Sequence, residues 1–300
     1  MDMTQDKCCR HGASLRRRRR RRRKILRSII FSCSIIAVAV FVAVGSRMIT
    51  SGDGGTNKYD VEAGNNTYDN AVIENSKISE NNKIQNEQSM LDDIMNSTQY
   101  PKQLQELALK NEEALEFVYD YPTEHVKEHT IDLTEEASMD SVPLFVQWDK
   151  RWGYEKYSGN FFAASGCGPT TLSMVVVYLT HNRDASPIAV AKYSKEAGYS
   201  VDGSGSSWTL VSEGCRHYGV KAKTVALDES RMKAELDAGH PIVVNVGPGD
   251  FTDTGHFMVI TGYDDEGFSI NDPNSIEKSG KRWLFKNISS QIRAVWSMYV

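Results

Sequence analysis

Residues 163–179 read AASGCGPTTLSMVVVYL: small residues, a cysteine inside a Gly-Cys-Gly triplet, then an apolar run through Leu172, Met174, Val175, Val176 and Leu179. The run has helical spacing and ends near residues 180–182, so Cys167 stands at a helix start. The free N–H groups and partial positive charge of a helix N-terminus lower a thiol's pKa and can hold an oxyanion. The small neighbours let another chain approach the sulfur. A cysteine nucleophile is built this way, although this stretch alone also fits a buried structural cysteine at a glycine-rich turn.

Two segments downstream favour the nucleophile. Residues 241–246 (PIVVNV) form a buried strand, and after Gly247-Pro248-Gly249 a second strand, residues 255–263 (GHFMVITGY), opens with His256. Asp264-Asp265-Glu266-Gly267 then makes a hairpin turn, and Phe268-Ser269-Ile270 leads into Asn271-Asp272-Pro273. In a hairpin the start of one arm faces the end of the other, so His256 and Asp272 come together. Cys167, His256 and Asp272 then supply a nucleophile, a base and a group that orients the base.

The ordered set Val142-Pro143-Leu144-Phe145-Val146-Gln147, Gly166-Cys167-Gly168-Pro169-Thr170, Gly255-His256-Phe257-Met258-Val259 and Asn271-Asp272-Pro273 resembles the papain-like cysteine peptidases. The branch is the one similar to the bacteriocin-processing, or double-glycine, peptidases, and the likeness spans residues 142–300. It implies an α+β fold in which a Cys-bearing helix packs on an antiparallel sheet carrying His and Asp. It also implies thiolate chemistry with no metal or cofactor. Carried over by position, Cys167 matches the nucleophile, His256 the general base and acid, and Asp272 the residue that orients the imidazole.

Gln147, after the opening Val-Pro strand, matches the amide that would bind the oxyanion together with the Cys167 backbone N–H. Twenty residues separate it from Cys167, a longer gap than the six of the papain signature, and a solvated surface residue is the competing reading. The intervening Trp148, Trp152, Tyr154 and Tyr157 read as core or as the wall of a substrate groove.

The N-terminal third reads differently. Residues 1–27 hold twelve of the chain's 35 Lys and Arg but only two of its 39 Asp and Glu. The remaining 23 basic and 37 acidic residues make the rest acidic, which argues against a nucleic-acid partner there. Residues 28–46 are nineteen uncharged, apolar positions, close to the length of a ~30 Å hydrocarbon core, preceded by the arginine run 16–23. The basic flank predicts a signal anchor with a cytoplasmic N-terminus and an extracytoplasmic C-terminal domain. A secreted chain, cleaved after the small residues near Ala43-Val44-Gly45, is the lesser reading.

Residues 47–97, rich in Asn, Ser, Asp and Glu, read as a disordered linker, and residues 98–141 as a helical lead-in beginning near Pro101. His125-Val126-Lys127-Glu128-His129 has the spacing of an inverted zinc-peptidase motif, but its polar surroundings favour a solvated segment over a metal site. Residues 202–208 lack the lysine of a phosphate loop and cap a helix from Thr209 to Tyr218, in which Cys215 reads as a small buried hydrophobe.

The chain is therefore expected to be a membrane-anchored extracytoplasmic cysteine peptidase acting on a peptide, protein or peptidoglycan substrate. A thiol acyltransferase or transpeptidase with the same triad, and a catalytically silent cell-surface binding module, are the alternatives. A bacteriocin-processing role is disfavoured, because the peptidases it resembles sit beside transporter domains on the cytoplasmic side. Oligomeric state is not legible.

Overall fold

A computed structural model describes residues 66–300, with side chains from residue 79 onward; from Asn70 these form one unit. The expected basic tail, the apolar span 28–46 and residues 47–65 lie outside the described residues. Among the described residues no helix is long and apolar enough to cross a membrane.

Helix α1 (Asn66–Asn96) departs from the expected disordered linker. Its exposed face carries helix-supporting pairs one turn apart, Lys83 with Glu87 at 3.8 Å and the Gln88 amide donating to Asp92 at 2.9 Å. Such pairs are weak, and short isolated helices are marginal in water. The anchor is the last two turns, where Met90, Leu91 and Ile94 pack into an apolar cluster and Ile94 is fully buried. That three-residue stripe was too brief to register as a sustained period.

The lead-in opens with two helices, α2 (Lys102–Lys110) and α3 (Leu115–Tyr119), with a break at Asn111, and single-turn helices follow at Tyr121–Glu124 and Thr134–Ala137. Asn111 is extended (φ −127°), and its side chain accepts the Glu113 N–H at 3.0 Å, capping a short 3₁₀ turn between the helices. Leu104, Leu107, Ala108, Leu115, Phe117 and Val118 join Ile94 in a cluster that closes over Phe161 and Ala163. The Phe117 ring lies so close to Gly153 that a Cβ there would stand 2.7 Å from it.

From residue 139 the fold is a helix layer on an antiparallel sheet. Residues 142–147, expected as a strand, run outside any ladder and bond instead through the Gln147 N–H to the Pro273 carbonyl at 2.7 Å. Two small hairpins, β1 (Lys156–Tyr157) with β2 (Asn160–Phe161) and β3 (Ser200–Val201) with β4 (Gly205–Ser206), flank helices α4 (Cys167–Thr180) and α5 (Pro187–Glu196). The segment expected as one helix from Thr209 is an α-turn, Thr209–Ser212, followed by a 3₁₀ turn, Gly214–Tyr218, closed by Gly219 at φ +77°.

The main sheet has the order β5-β10-β6-β7-β8-β9. Its strands are β5 (Lys221–Thr224), β6 (Ile242–Val246), β7 (His256–Asp264), β8 (Gly267–Asn271), β9 (Arg282–Trp283) and β10 (Ile292–Tyr299), all antiparallel. Strand β9 ends at Trp283, because Phe285–Ile288 turns into a helix.

Side chains alternate across this sheet as the pleat requires. Val243, Phe257, Val259, Trp296 and Met298 face the α4 side, where Leu172, Met174, Val175, Val176 and Val177 complete the main core. Ile242, Val244, Val246, Met258, Ile260 and Val295 face the other side, covered by Met232 of α6 (Glu229–Asp237) and by Ile288. A central strand buried on both faces explains the apolar run Ile242–Val244 and Val246, with Asn245 the one polar residue buried among them. Helix α4 is buried from Gly168 to Val177, as a helix apolar on all sides must be.

Candidate active site

Cys167 is the first residue of α4, and Gly166 precedes it as the cap. His256 opens β7 opposite Val246 of β6, and Asp272 lies one residue past the end of β8. The β7–β8 register pairs Val259 with Asn271, which sets Asp272 alongside the first residues of β7 as the hairpin reading anticipated. The sheet therefore fixes the imidazole and the carboxylate, and the helix fixes the sulfur.

His256 Nε2 lies 2.6 Å from Asp272 Oδ1, with His256 only 6% exposed and Asp272 fully buried. Asp272 Oδ1 also accepts the Asn274 N–H at 2.8 Å. Cys167 and His256 interact closely enough that each shifts the other's proton affinity. Since Nε2 is engaged by Asp272, Nδ1 is the nitrogen left for sulfur.

Burial by itself pushes the Cys167 thiol up, yet the hydrogen bond to His256, its positive charge, and the N–H groups of Phe257 and Gly168 outweigh that and leave the thiol below its ordinary value. His256 moves the other way. Burial lowers it, but the charge of Asp272 and bonds to Asp272 and Cys167 push it up to about 10. Both shifts act in the direction of a thiolate–imidazolium pair over a neutral thiol and imidazole.

Gln147 is 4% exposed, which overturns the surface-residue reading. Its side-chain Nε2 donates to the Ala163 carbonyl at 2.7 Å, four residues before Cys167, while its backbone N–H holds Pro273. Gln147 thus ties the Cys-bearing segment to the Asp-bearing one, with a second amide proton beyond the one given to Ala163. The aromatic insert is mostly core: Trp152 and Tyr157 are buried, and Trp148 and Tyr154 pack against the lead-in cluster.

The sequence singled out Gly168 as a small neighbour of the sulfur but not Ser206, the residue that approaches it. A Cβ on Gly168 would stand 2.6 Å from Ser206 Oγ, so only glycine lets β4 approach the helix start. The Tyr157 hydroxyl bonds Ser206 Oγ at 2.7 Å and Ser194 Oγ at 2.8 Å, fixing that approach. Cys215 is buried, unpaired and pushed up to about 11 by burial. His125 stacks on Tyr121, and His129 lies 3.7 Å from Glu124; among the described residues no cluster suited to a metal ion occurs.

An α+β domain with a cysteine at a helix start, facing a sheet-borne His and Asp, defines the class as cysteine-peptidase-like. Residues 139–300 match the family model described as the Peptidase_C39 like family, just over half of the sequence, and the chain belongs to that family. It is similar to the solved peptidase domain of Streptococcus ComA, a bifunctional ABC transporter of a quorum-sensing pathway. That match has 18% identity and a TM-score of 0.39, and covers 53% of this chain and 96% of that one. It is also similar to a putative C39-like peptidase from Bacillus anthracis at 16% identity and a TM-score of 0.34, covering 53% and 95%. No curated protein sequence matches the chain.

Proposed function

We propose that this protein is a cysteine peptidase in which Cys167, His256 and Asp272 act as nucleophile, general base and acid, and orienting carboxylate. The observation that carries this reading is the buried His256–Asp272 pair, 2.6 Å apart at Nε2 and Oδ1, with Cys167 at a helix start electrostatically coupled to the same ring. The thiolate attacks the carbonyl carbon of an amide, and the bond to nitrogen breaks as the imidazolium delivers its proton to the leaving amine. Water, deprotonated by the now neutral imidazole, then attacks the thioester and releases the acid while sulfur leaves as thiolate. The Cys167 N–H and the second amide proton of Gln147 hold the oxyanion in both steps.

The substrate is a peptide, a protein or a peptidoglycan cross-link. Residues 28–46 anchor the chain, and the basic residues before them keep the N-terminus cytoplasmic and the peptidase domain outside. Expressing the full-length chain, labelling it with a thiol-directed covalent probe, and profiling it on peptide and peptidoglycan libraries tests the reaction. Cleaved amide products dependent on Cys167 support it. Products in which an added amine replaces water would assign acyl transfer, and an inert thiol would leave a binding module.

A further inference from the structure

The loop that carries Asp272 is held by residues more than 160 positions earlier in the sequence. Glu113, in the break between α2 and α3, accepts the Ser275 hydroxyl at Oε1, and the N–H groups of Ile276 and Glu277 at Oε2, at 2.7 and 3.1 Å. Its carboxylate thus caps the short helix α7 (Ile276–Ser279) that follows the loop. The Asn111 amide donates to the Asn274 carbonyl at 2.9 Å and to Asn274 Oδ1 at 3.1 Å. Asn111 also accepts the Glu113 N–H, so the two side chains reach the loop as one unit.

Asp272 needs such support. It is fully buried, its Oδ1 serves both His256 and Asn274, and its Oδ2 has no partner among the described residues. No side-chain bond besides those at Oδ1 sets the tilt of the carboxylate. The loop backbone sets it, through the Asp272 N–H on Ser279 Oγ at 2.9 Å and the Pro273 carbonyl on Gln147. Residues 274–277, in which the loop turns into α7, are the ones that Asn111 and Glu113 grip.

We infer that Glu113, with Asn111, is a positioning residue for the reaction, clamping the Asp272 loop so that its carboxylate meets His256. The inference rests on the catalytic reading of Cys167, His256 and Asp272. Both clamp residues precede the region 139–300 that the family model matches, so the clamp lies outside the matched part of the chain. The lead-in is accordingly a working piece of the site as well as a lid on an apolar cluster.

The test measures iodoacetamide alkylation of Cys167 in the full-length protein by mass spectrometry across the acid to weakly alkaline range, with melting recorded in parallel. Displacements of about 1 Å at supporting positions can slow chemistry by ~10²-fold. Glu113→Ala and Asn111→Ala are therefore expected to slow neutral-pH alkylation by ~10–100-fold and to move its acid limb to higher pH. Glu113→Gln, which keeps one acceptor, should fall between.

Gln105→Ala is the control, because Gln105 bonds the Ile94 and Ser97 carbonyls within the same lead-in, at 3.1 and 3.3 Å, without touching the loop. It should lower the melting temperature and leave the alkylation profile alone. Wild-type profiles for both Glu113 variants, or equal slowing by Gln105→Ala at matched melting, overturn the inference. Should Glu113→Ala not melt cooperatively, Glu113→Gln decides. A wild-type thiol that is itself unreactive at acid pH defeats the catalytic reading instead, so the two failures are told apart.

Discussion

Two cysteines in this domain start from the same disadvantage and end as opposites. Burial pushes up both the Cys167 and the Cys215 thiols, and at Cys215, in the 3₁₀ turn Gly214–Tyr218, almost nothing opposes it. Arg216 and local N–H groups pull weakly the other way, and the thiol still rises to about 11. At Cys167 a charged imidazole and the N–H groups of Phe257 and Gly168 reverse the sign. Thiol reactivity in this fold thus follows position, a helix start facing a strand start, and Cys167 is also the more exposed of the two.

The harshest test of the contrast is Cys167→Ala, expected to abolish alkylation and turnover. Its cost in stability should stay at roughly 1 kcal/mol or less, since one sulfur at a helix start leaves a small void. An enzyme still active after this change would end the comparison. His256→Ala should be nearly as inactive, returning Cys167 to a thiol governed by its burial.

Asp272→Asn is expected to keep the fold and lower turnover by roughly 10²–10⁴-fold. The sign of its pH effect follows from the cause. Against burial, which lowers it, His256 is pushed up to about 10 by Asp272 first and Cys167 second, so losing the Asp272 charge lets the imidazolium deprotonate earlier and the alkaline limb of the rate profile moves down toward neutral. In the wild type the acid limb follows Cys167, where protonating the thiolate ends reactivity below its lowered pKa. A profile with its alkaline limb unmoved in the variant would show that Asp272 does not set the charge on His256.

Gly168→Ala sharpens the comparison at the helix start itself. The new Cβ meets Ser206, held by Tyr157, and strain of about 1–3 kcal/mol should appear as a lower melting temperature with slower alkylation. The smallest effect belongs to Cys215→Ala, expected to change Cys167 alkylation by less than about twofold while costing roughly 1 kcal/mol of stability. Mass spectrometry of the alkylated native protein should find label on Cys167 before any on Cys215.

What the sequence disclosed follows the range of the forces involved. The α4 helix, the β6–β7–β8 run and the His256–Asp272 approach are local patterns, periodic or one hairpin long, and each could be read from its own segment. The position of Gln147 was reached only through a resemblance, because its contact with Ala163 depends on how an irregular segment threads beneath the helix start. The residues 142–147 have strand-like composition yet pair with no strand. Instead, the Val142 and Pro143 carbonyls accept from the Asn271 side-chain amide, at 3.0 and 3.1 Å.

Helix α1 was hidden by an average, since its polar turns outnumber the three apolar residues that seat it. Glu113 carried no signal at all, because its partners lie more than 160 positions away and a glutamate between two helices looks like any solvated charge.

The place where the family's likeness begins is not a seam in the material. A fragment cut at residue 139 would lose Ile94, Leu104, Leu107, Leu115, Phe117 and Val118, and with them the cover over Phe161, Ala163, Trp148 and Tyr154. It would also leave an open notch at Gly153 where the Phe117 ring now sits. Such a fragment carries a greasy scar beside its cysteine helix and should clump in solution. The smallest piece of this chain able to stand alone therefore starts near Met90, about fifty residues ahead of the border that kinship would draw.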